Sequence, residues 1–216
     1  MDKDKILATI KLVKESSKKR NFNQSFDVII NLKDLNLKKQ EENLDIFVTL
    51  SHSKEKSPKI CAFVNRNMEN NAKIFDNVIL LENFPQDEKN IKKLANSFDI
   101  FLAQADIMPK IASTFGKIFG PKGKMPNPKL GCVITPATNL IDLKNKLQNT
   151  VRLKTKNELI IKTSIGNEKM NDNNLMENFM AIYNALLHGL PKAEHNIKNI
   201  YFKLTMGKAI KLGEKK

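Results

Sequence analysis

The chain has 216 residues, with 37 Lys and Arg against 23 Asp and Glu, and so carries a formal net charge of +14. At 41% hydrophobic and 28% charged it can bury a core, which excludes a wholly disordered chain, and eight glycines with eight prolines exclude a collagen-like one. No stretch approaches the roughly 20 uncharged apolar residues that span a bilayer.

The opening Met1-Asp2-Lys3-Asp4-Lys5 has no signal-peptide core. Residues 4–19 place Ile6, Leu7, Ile10 and Val13 on one face, which predicts an amphipathic helix. Phe26, Val28, Ile30 and Leu32 then alternate with Asp27, Ile29 and Asn31, and Leu44, Ile46, Val48 and Leu50 with Asp45, Phe47 and Thr49. Both runs read as half-buried strands, joined by the polar run 38–43.

The pattern changes after Ser57-Pro58. Residues 60–64, 78–81 and 98–103 are short, nearly continuous apolar runs between helix-like stretches at 87–96, 106–117 and 139–148. Strands buried on both faces read this way, so the middle predicts βαβ units and a parallel sheet. Past Thr150 the alternation returns. Leu159, Ile161, Thr163 and Ile165 follow a polar turn at Lys156-Asn157. Asn171 or Asp172 caps a helix carrying Leu175, Phe179, Ile182 and Leu186, which Gly189 and Pro191 stop. A last strand over 197–206 puts Ile200, Phe202 and Leu204 opposite Tyr201, Lys203 and Thr205. Neither end is a comfortable core alone at about 60 residues. The reading is therefore a discontinuous α+β sandwich made of residues 1–58 and 150–216, with an α/β domain, 59–149, inserted.

Chemistry is sparse. After the first middle strand comes Asn65-Arg66-Asn67-Met68-Glu69-Asn70, without the glycines that a dinucleotide fingerprint needs, and the phosphate-loop spacing also fails. His52, His188 and His195 are scattered, so no metal or catalytic residue is assigned and no cofactor is expected. Cys61 and Cys132 sit in apolar contexts and read as packed, reduced thiols of a cytoplasmic protein. Glu41-Glu42 reads as a solvated pair.

What remains is charge. A surplus of +14 draws polyanions, nucleic acid before acidic lipid. From 108 to 140 there are five lysines and no acidic residue, centred on Gly116-Lys-Ile-Phe-Gly-Pro-Lys-Gly-Lys-Met-Pro-Asn-Pro-Lys129. This segment reads either as a stiff loop offering lysines and backbone amides to phosphates or as a rigid turn with solvated lysines. Gly120-Pro-Lys-Gly123 has the spacing of a backbone-clamping GXXG loop, though Pro126 and Pro128 would break the helix that should follow. A second cluster is split between Lys18-Lys19-Arg20-Asn21-Phe22-Asn23-Gln24-Ser25-Phe26 and Lys203-Leu204-Thr205-Met206-Gly207-Lys208. Strand parity favours the core for Phe26.

Taken in order, Arg20-Asn-Phe-Asn-Gln-Ser-Phe26, Ala103-Gln-Ala-Asp-Ile-Met-Pro109, Gly120-Pro-Lys-Gly-Lys-Met-Pro126, Gly166-Asn-Glu-Lys-Met170 and Lys203-Leu-Thr-Met-Gly207 resemble the universal large-subunit ribosomal protein one family, in its archaeal form. The resemblance implies a non-enzymatic protein whose chain ends build an rRNA-binding domain around a Rossmann-like insert that binds no dinucleotide. Its expected partners are the large-subunit rRNA of the mobile stalk, exit-site tRNA and its own mRNA, whose translation it would repress. It would be monomeric off the ribosome and keep clear of membranes. An mRNA-binding regulator outside the ribosome is the alternative. Carried over residue by residue, the RNA contacts are Lys19, Arg20, Lys169, Lys203, Thr205, Met206 and Gly207. Phe26 joins them as the family's surface aromatic, against its parity, and Lys122 and Lys124 as secondary contacts. Lys122 stands where arginine is usual and Lys208 where proline is common.

Overall fold

The computed structural model describes residues 2–36, 39, 42–54, 57–155 and 158–213; the turn at Lys156-Asn157, Glu41 and part of the run 38–43 lie outside these. The elements follow in the order α1 (Lys3–Ser16), β1 (Ser25–Leu32), β2 (Asp45–Thr49), β3 (Ile60–Val64), α2 (Glu69–Ala72), β4 (Asn77–Leu80), α3 (Glu88–Ser97) and β5 (Ile100–Gln104). They continue with α4 (Met108–Lys122), β6 (Val133–Ile134), α5 (Leu140–Asn149), β7 (Thr150–Lys154), β8 (Ile160–Asn167), α6 (Asp172–Gly189), β9 (Ile197–Leu204) and β10 (Ile210–Lys211). The chain divides into two compact units, Met1–Glu55 with Asn149–Lys216, and Lys56–Gln148. The first is α+β and the second α/β.

In the terminal unit an antiparallel sheet runs β10-β9-β1-β8. Strict alternation on β1 buries Phe26, Val28, Ile30 and Leu32 and leaves Ser25, Asp27, Ile29 and Asn31 partly exposed. Helices α1 and α6 cover the buried face, where Ile6, Ile10, Val13, Phe179, Ile182 and Leu186 join the strand residues in one core. Asn171 caps α6 by accepting the Asn173 N–H at 3.2 Å. The β2 run does not join this sheet. It pairs with β7 in a separate ribbon that packs on α6, held by a two-point ion pair from Arg152 to Asp45 at 2.7 and 2.6 Å. A hydrogen bond and the charge of Arg152 hold the Asp45 carboxyl below its ordinary value.

The inserted unit has a parallel sheet of order β4-β3-β5-β6. Its central strand β3 is buried at every position, because Ile60, Ala62 and Val64 enter one core while Cys61 and Phe63 enter another. Burial pushes the Cys61 thiol up to about 12 and the Cys132 thiol to about 11, so neither is a ready nucleophile.

The segment read as a stiff glycine-proline loop is largely helix. α4 runs through Gly116, Gly120 and Pro121 to Lys122, and Gly123 ends it in the left-handed conformation at φ 65°. The apolar stripe Ile111, Phe115 and Phe119 explains this. Phe115 stands 5.0 Å from Phe63 and Phe119 4.4 Å from Phe101, centroid to centroid. Burying two phenyl rings, at about 1.5–3 kcal/mol each, offsets the cost of two helical glycines at about 1 kcal/mol each and of Pro121 at about 3. No GXXG clamp exists, since Gly120, Pro121 and Lys122 form the last turn of α4.

Candidate nucleic-acid interface

Antiparallel pairing brings three remote segments to one end of the terminal unit's main sheet. Ser25 opens β1 opposite Asn167 at the close of β8, and Phe26 faces Leu204 at the close of β9. The approach to β1 (residues 17–24), the turn after β8 (168–170) and the turn after β9 (205–208) are therefore neighbours.

Gln24 knits them. It is 1% exposed, and a buried amide must find partners. Its Nε2 donates to Glu168 Oε2 at 3.2 Å and to the Lys18 carbonyl at 3.4 Å. Its Oε1 accepts the Met206 N–H at 3.1 Å, and its own carbonyl accepts the Glu168 N–H at 2.9 Å. From below, Lys14 on α1 donates to the Met170 carbonyl and pairs with Asp172, each at 2.6 Å, fixing the turn before α6. Gly166 is closely packed: a Cβ there would lie 2.6 Å from both Leu175 Cδ2 and Met170 Sδ, so these side chains would have to move.

Thr205 lies just beyond β9, exposed, and its hydroxyl is engaged within the chain. Oγ1 accepts the Ser25 N–H at 3.0 Å and shares a hydrogen with Ser25 Oγ at 2.9 Å, while the Thr205 N–H returns to the Ser25 carbonyl at 3.1 Å. Gly207 turns the chain back with its N–H on the Leu204 carbonyl at 2.9 Å. A Cβ at 207 would sit 2.6 Å from Ser17 Oγ, which itself donates to the Val13 carbonyl at 2.8 Å. The protein's own packing thus already asks for glycine here.

On this scaffold two large apolar side chains face solvent, Phe22 at 52% and Met206 at 62% exposure. Lys18, Lys19, Arg20, Lys169 and Lys208 lie on the same three segments, all exposed, and none forms an ion pair among the described residues. Exposed aromatic and thioether surface on segments that also carry unneutralised cations suits a base face and phosphates together.

Several expected contacts change place. Phe26 is 0% exposed, its ring 5.9 Å from that of Phe202, so parity governs and it cannot touch RNA. Phe22 is the surface aromatic of the segment, and sequence reasoning missed it because the loop has no periodicity to tell outward from inward. Gln24 was also missed; nothing in a polar run marks which member is buried. Lys203 faces Asp27 across strands on the open side of the sheet, one position inside its end. In the inserted unit Lys124 donates to the Ala95 and Phe98 carbonyls at 2.8 and 2.6 Å, closing the end of α3, so its ammonium serves the fold. Lys122 is exposed and reaches Asn96 Oδ1 at 2.5 Å. Among the described residues no cluster of His, Cys, Asp and Glu could hold a metal, and no helix is long and apolar enough to cross a membrane.

The model of the ribosomal protein L1p/L10e family matches residues 12–208. A protein of Methanothermococcus thermolithotrophicus named large ribosomal subunit protein uL1 is 37% identical over 211 residues, covering 96% of this chain and 97% of its own. Proteins of the same name from Pyrococcus abyssi and Methanocaldococcus jannaschii are 36% identical over 217 and 33% over 220 residues. The matches cover 98% and 100% of this chain, and 96% and 98% of theirs.

Proposed function

The chain belongs to the ribosomal protein L1p/L10e family, a family of ribosomal proteins rather than enzymes, and from that membership we propose that its terminal unit grips the large-subunit rRNA of the mobile stalk through the end of its main sheet. The observation that carries this reading is the exposure of Phe22, Met206, Lys18, Lys19, Arg20, Lys169 and Lys208 on the three segments that meet at this end of the sheet. Phe22 offers a flat apolar face to a base, Met206 a conformable one, and the cations hold phosphates on either side. Thr205 and Gly207 shape the turn that presents Met206, and the Thr205 hydroxyl keeps room for one further polar contact from RNA.

Seated on the stalk beside the tRNA exit site, the protein moves with it as deacylated tRNA leaves. The same surface binds a mimic of the rRNA site in the protein's own mRNA and represses its translation. The inserted unit, with Lys122 outermost, adds secondary contact. No cofactor takes part, and the free protein is a monomer.

Cross-linking of the full chain to total cellular RNA, followed by sequencing of the RNA and mapping of the peptides, tests this. Large-subunit rRNA attached to peptides containing Phe22 or Met206 is expected. Cross-links confined to residues 56–148, or to mRNA without rRNA, would overturn the assignment. Co-sedimentation with large subunits separates the ribosomal role from that of a free mRNA regulator.

A further inference from the structure

The face of the terminal unit's main sheet that turns away from α1 and α6 is no blank surface. Alternation places Asp27 and Ile29 of β1, Lys162 and Ser164 of β8, and Tyr201 and Lys203 of β9 on it. Two cross-strand rows result. In one, Tyr201, Ile29 and Lys162 stand side by side; in the next, Lys203, Asp27 and Ser164. Between them lies a basin of about 480 Å³, lined by Asp27, Ile29, Lys162, Thr163, Ser164 and Lys203.

We propose that this basin is a second nucleic-acid site, separate from the sheet end, and that it takes unpaired nucleotides of a single-stranded RNA. Its volume is within the range of ligand pockets of roughly 300–1,000 Å³. Lys162 and Lys203 project from the two strands flanking β1, and two spacings of about 4.8 Å with a two-residue offset along the strands put them roughly 12 Å apart, a span that lets each hold a phosphate on either side of one nucleotide. Ile29 gives its base an aliphatic surface, and Tyr201, outside the lining but beside Ile29 on the neighbouring strand, an aromatic one. Asp27 and Ser164 supply acceptors for an exocyclic amine or a ribose hydroxyl. The Asp27 carboxylate is itself oriented, taking the Ser25 hydroxyl at 3.0 Å.

The mixture selects a single strand over a duplex. A paired helix presents phosphates and sugars while its bases stay stacked inside, leaving Tyr201, Ile29 and Asp27 without partners. The proposal does not depend on the sheet-end site, and its test keeps the two apart.

The full chain is titrated against a fluorescein-labelled 12-nucleotide single-stranded RNA of mixed sequence, read by anisotropy over a range of salt. Tyr201→Ala is expected to weaken binding roughly tenfold or more, and Tyr201→Phe to leave it near wild type, because stacking needs the ring and not the hydroxyl. Lys162→Gln with Lys203→Gln should reduce the log–log salt slope by about 1.4, two contacts at about 0.7 each for a single strand. The charge-matched pair Lys89→Gln with Lys93→Gln, exposed on α3, should leave the slope unchanged. Far-ultraviolet circular dichroism confirms that each variant is folded. Three results would overturn the site: no binding by wild type, equal slopes for the two double variants, or affinity lost in Phe22→Ala but kept in Tyr201→Ala.

Discussion

The side-chain carbonyl of Gln24 accepts the backbone N–H of Met206 across 3.1 Å, joining residues 182 positions apart in sequence. Through that bond a buried side chain on one loop sets the height at which an exposed side chain on another meets solvent. Gln24→Leu keeps the volume but removes the partner of both the Met206 N–H and the Glu168 carboxylate. The expected loss is about 1–3 kcal/mol of stability with weaker rRNA binding, measured by urea melts and a binding isotherm. Wild-type values in both would show that the three loops hold without it.

Phe22 and Phe26 should separate binding from stability. Phe26→Ala empties a site at the heart of the core and should cost about 3–5 kcal/mol in unfolding. Phe22→Ala should change stability by no more than about 0.5 kcal/mol while costing about 1–3 kcal/mol of RNA binding. The opposite pattern would return the RNA contact to Phe26.

Gly207→Ala forces Ser17 Oγ aside and breaks its bond to the Val13 carbonyl. That should cost about 0.5–1.5 kcal/mol. In a Ser17→Ala background the clash disappears, since the remaining neighbours of such a Cβ stand at 3.4 Å, an ordinary contact. The double variant should therefore lose less than the sum of the single ones, which a double-mutant cycle on thermal melts reads directly.

Binding of the stalk rRNA should weaken steeply as salt rises. Arg20→Ala should remove about 0.7–0.9 from the log–log slope if the guanidinium holds one phosphate. A slope identical to wild type would place Arg20 outside the contact.

The Asp45–Arg152 pair carries a pH signature. Its folded-state pKa is depressed, so the pair's contribution is present above the ordinary value of 3.8 and is lost as pH falls through the lower folded value. Thermal melts of wild type and Asp45→Asn should differ at pH 6 and converge as the pH drops below about 4. With both side chains about a third exposed, at 35% and 32%, the difference should be small. A gap that persists into acid would mean that the asparagine perturbs the ribbon by some other route.

Where alternation was long and strict, sequence and structure agree closely. β1 shows it over all eight residues and β9 over its last six, and the inserted unit's apolar runs become parallel strands. Short elements escaped. β7 offers only Val151 and Leu153 to an apolar face, and β6 and β10 are two residues long, too few for any period to emerge. The end of α4 was hidden for another reason, because local glycine and proline preferences yield there to the burial of Phe115 and Phe119. At the candidate interface the basic residues and the Thr-Met-Gly turn were legible. The burial of Gln24 was not, since it depends on contacts with segments more than 140 positions away, and neither was the exposure of Phe22, in a loop without periodicity.

Strand β1 lies between β8 and β9, and neither of these exists until more than a hundred further residues have been made. During synthesis the first fifty-odd residues therefore leave the exit tunnel with apolar side chains such as Phe26, Val28 and Ile30 and no sheet to receive them. Residues 56–148 have their strands and covering helices in sequence order and can close first. The order of assembly is thus the reverse of the order in which the two units begin. Until residue 204 has emerged, the apolar face of β1 has only part of the sheet that buries it.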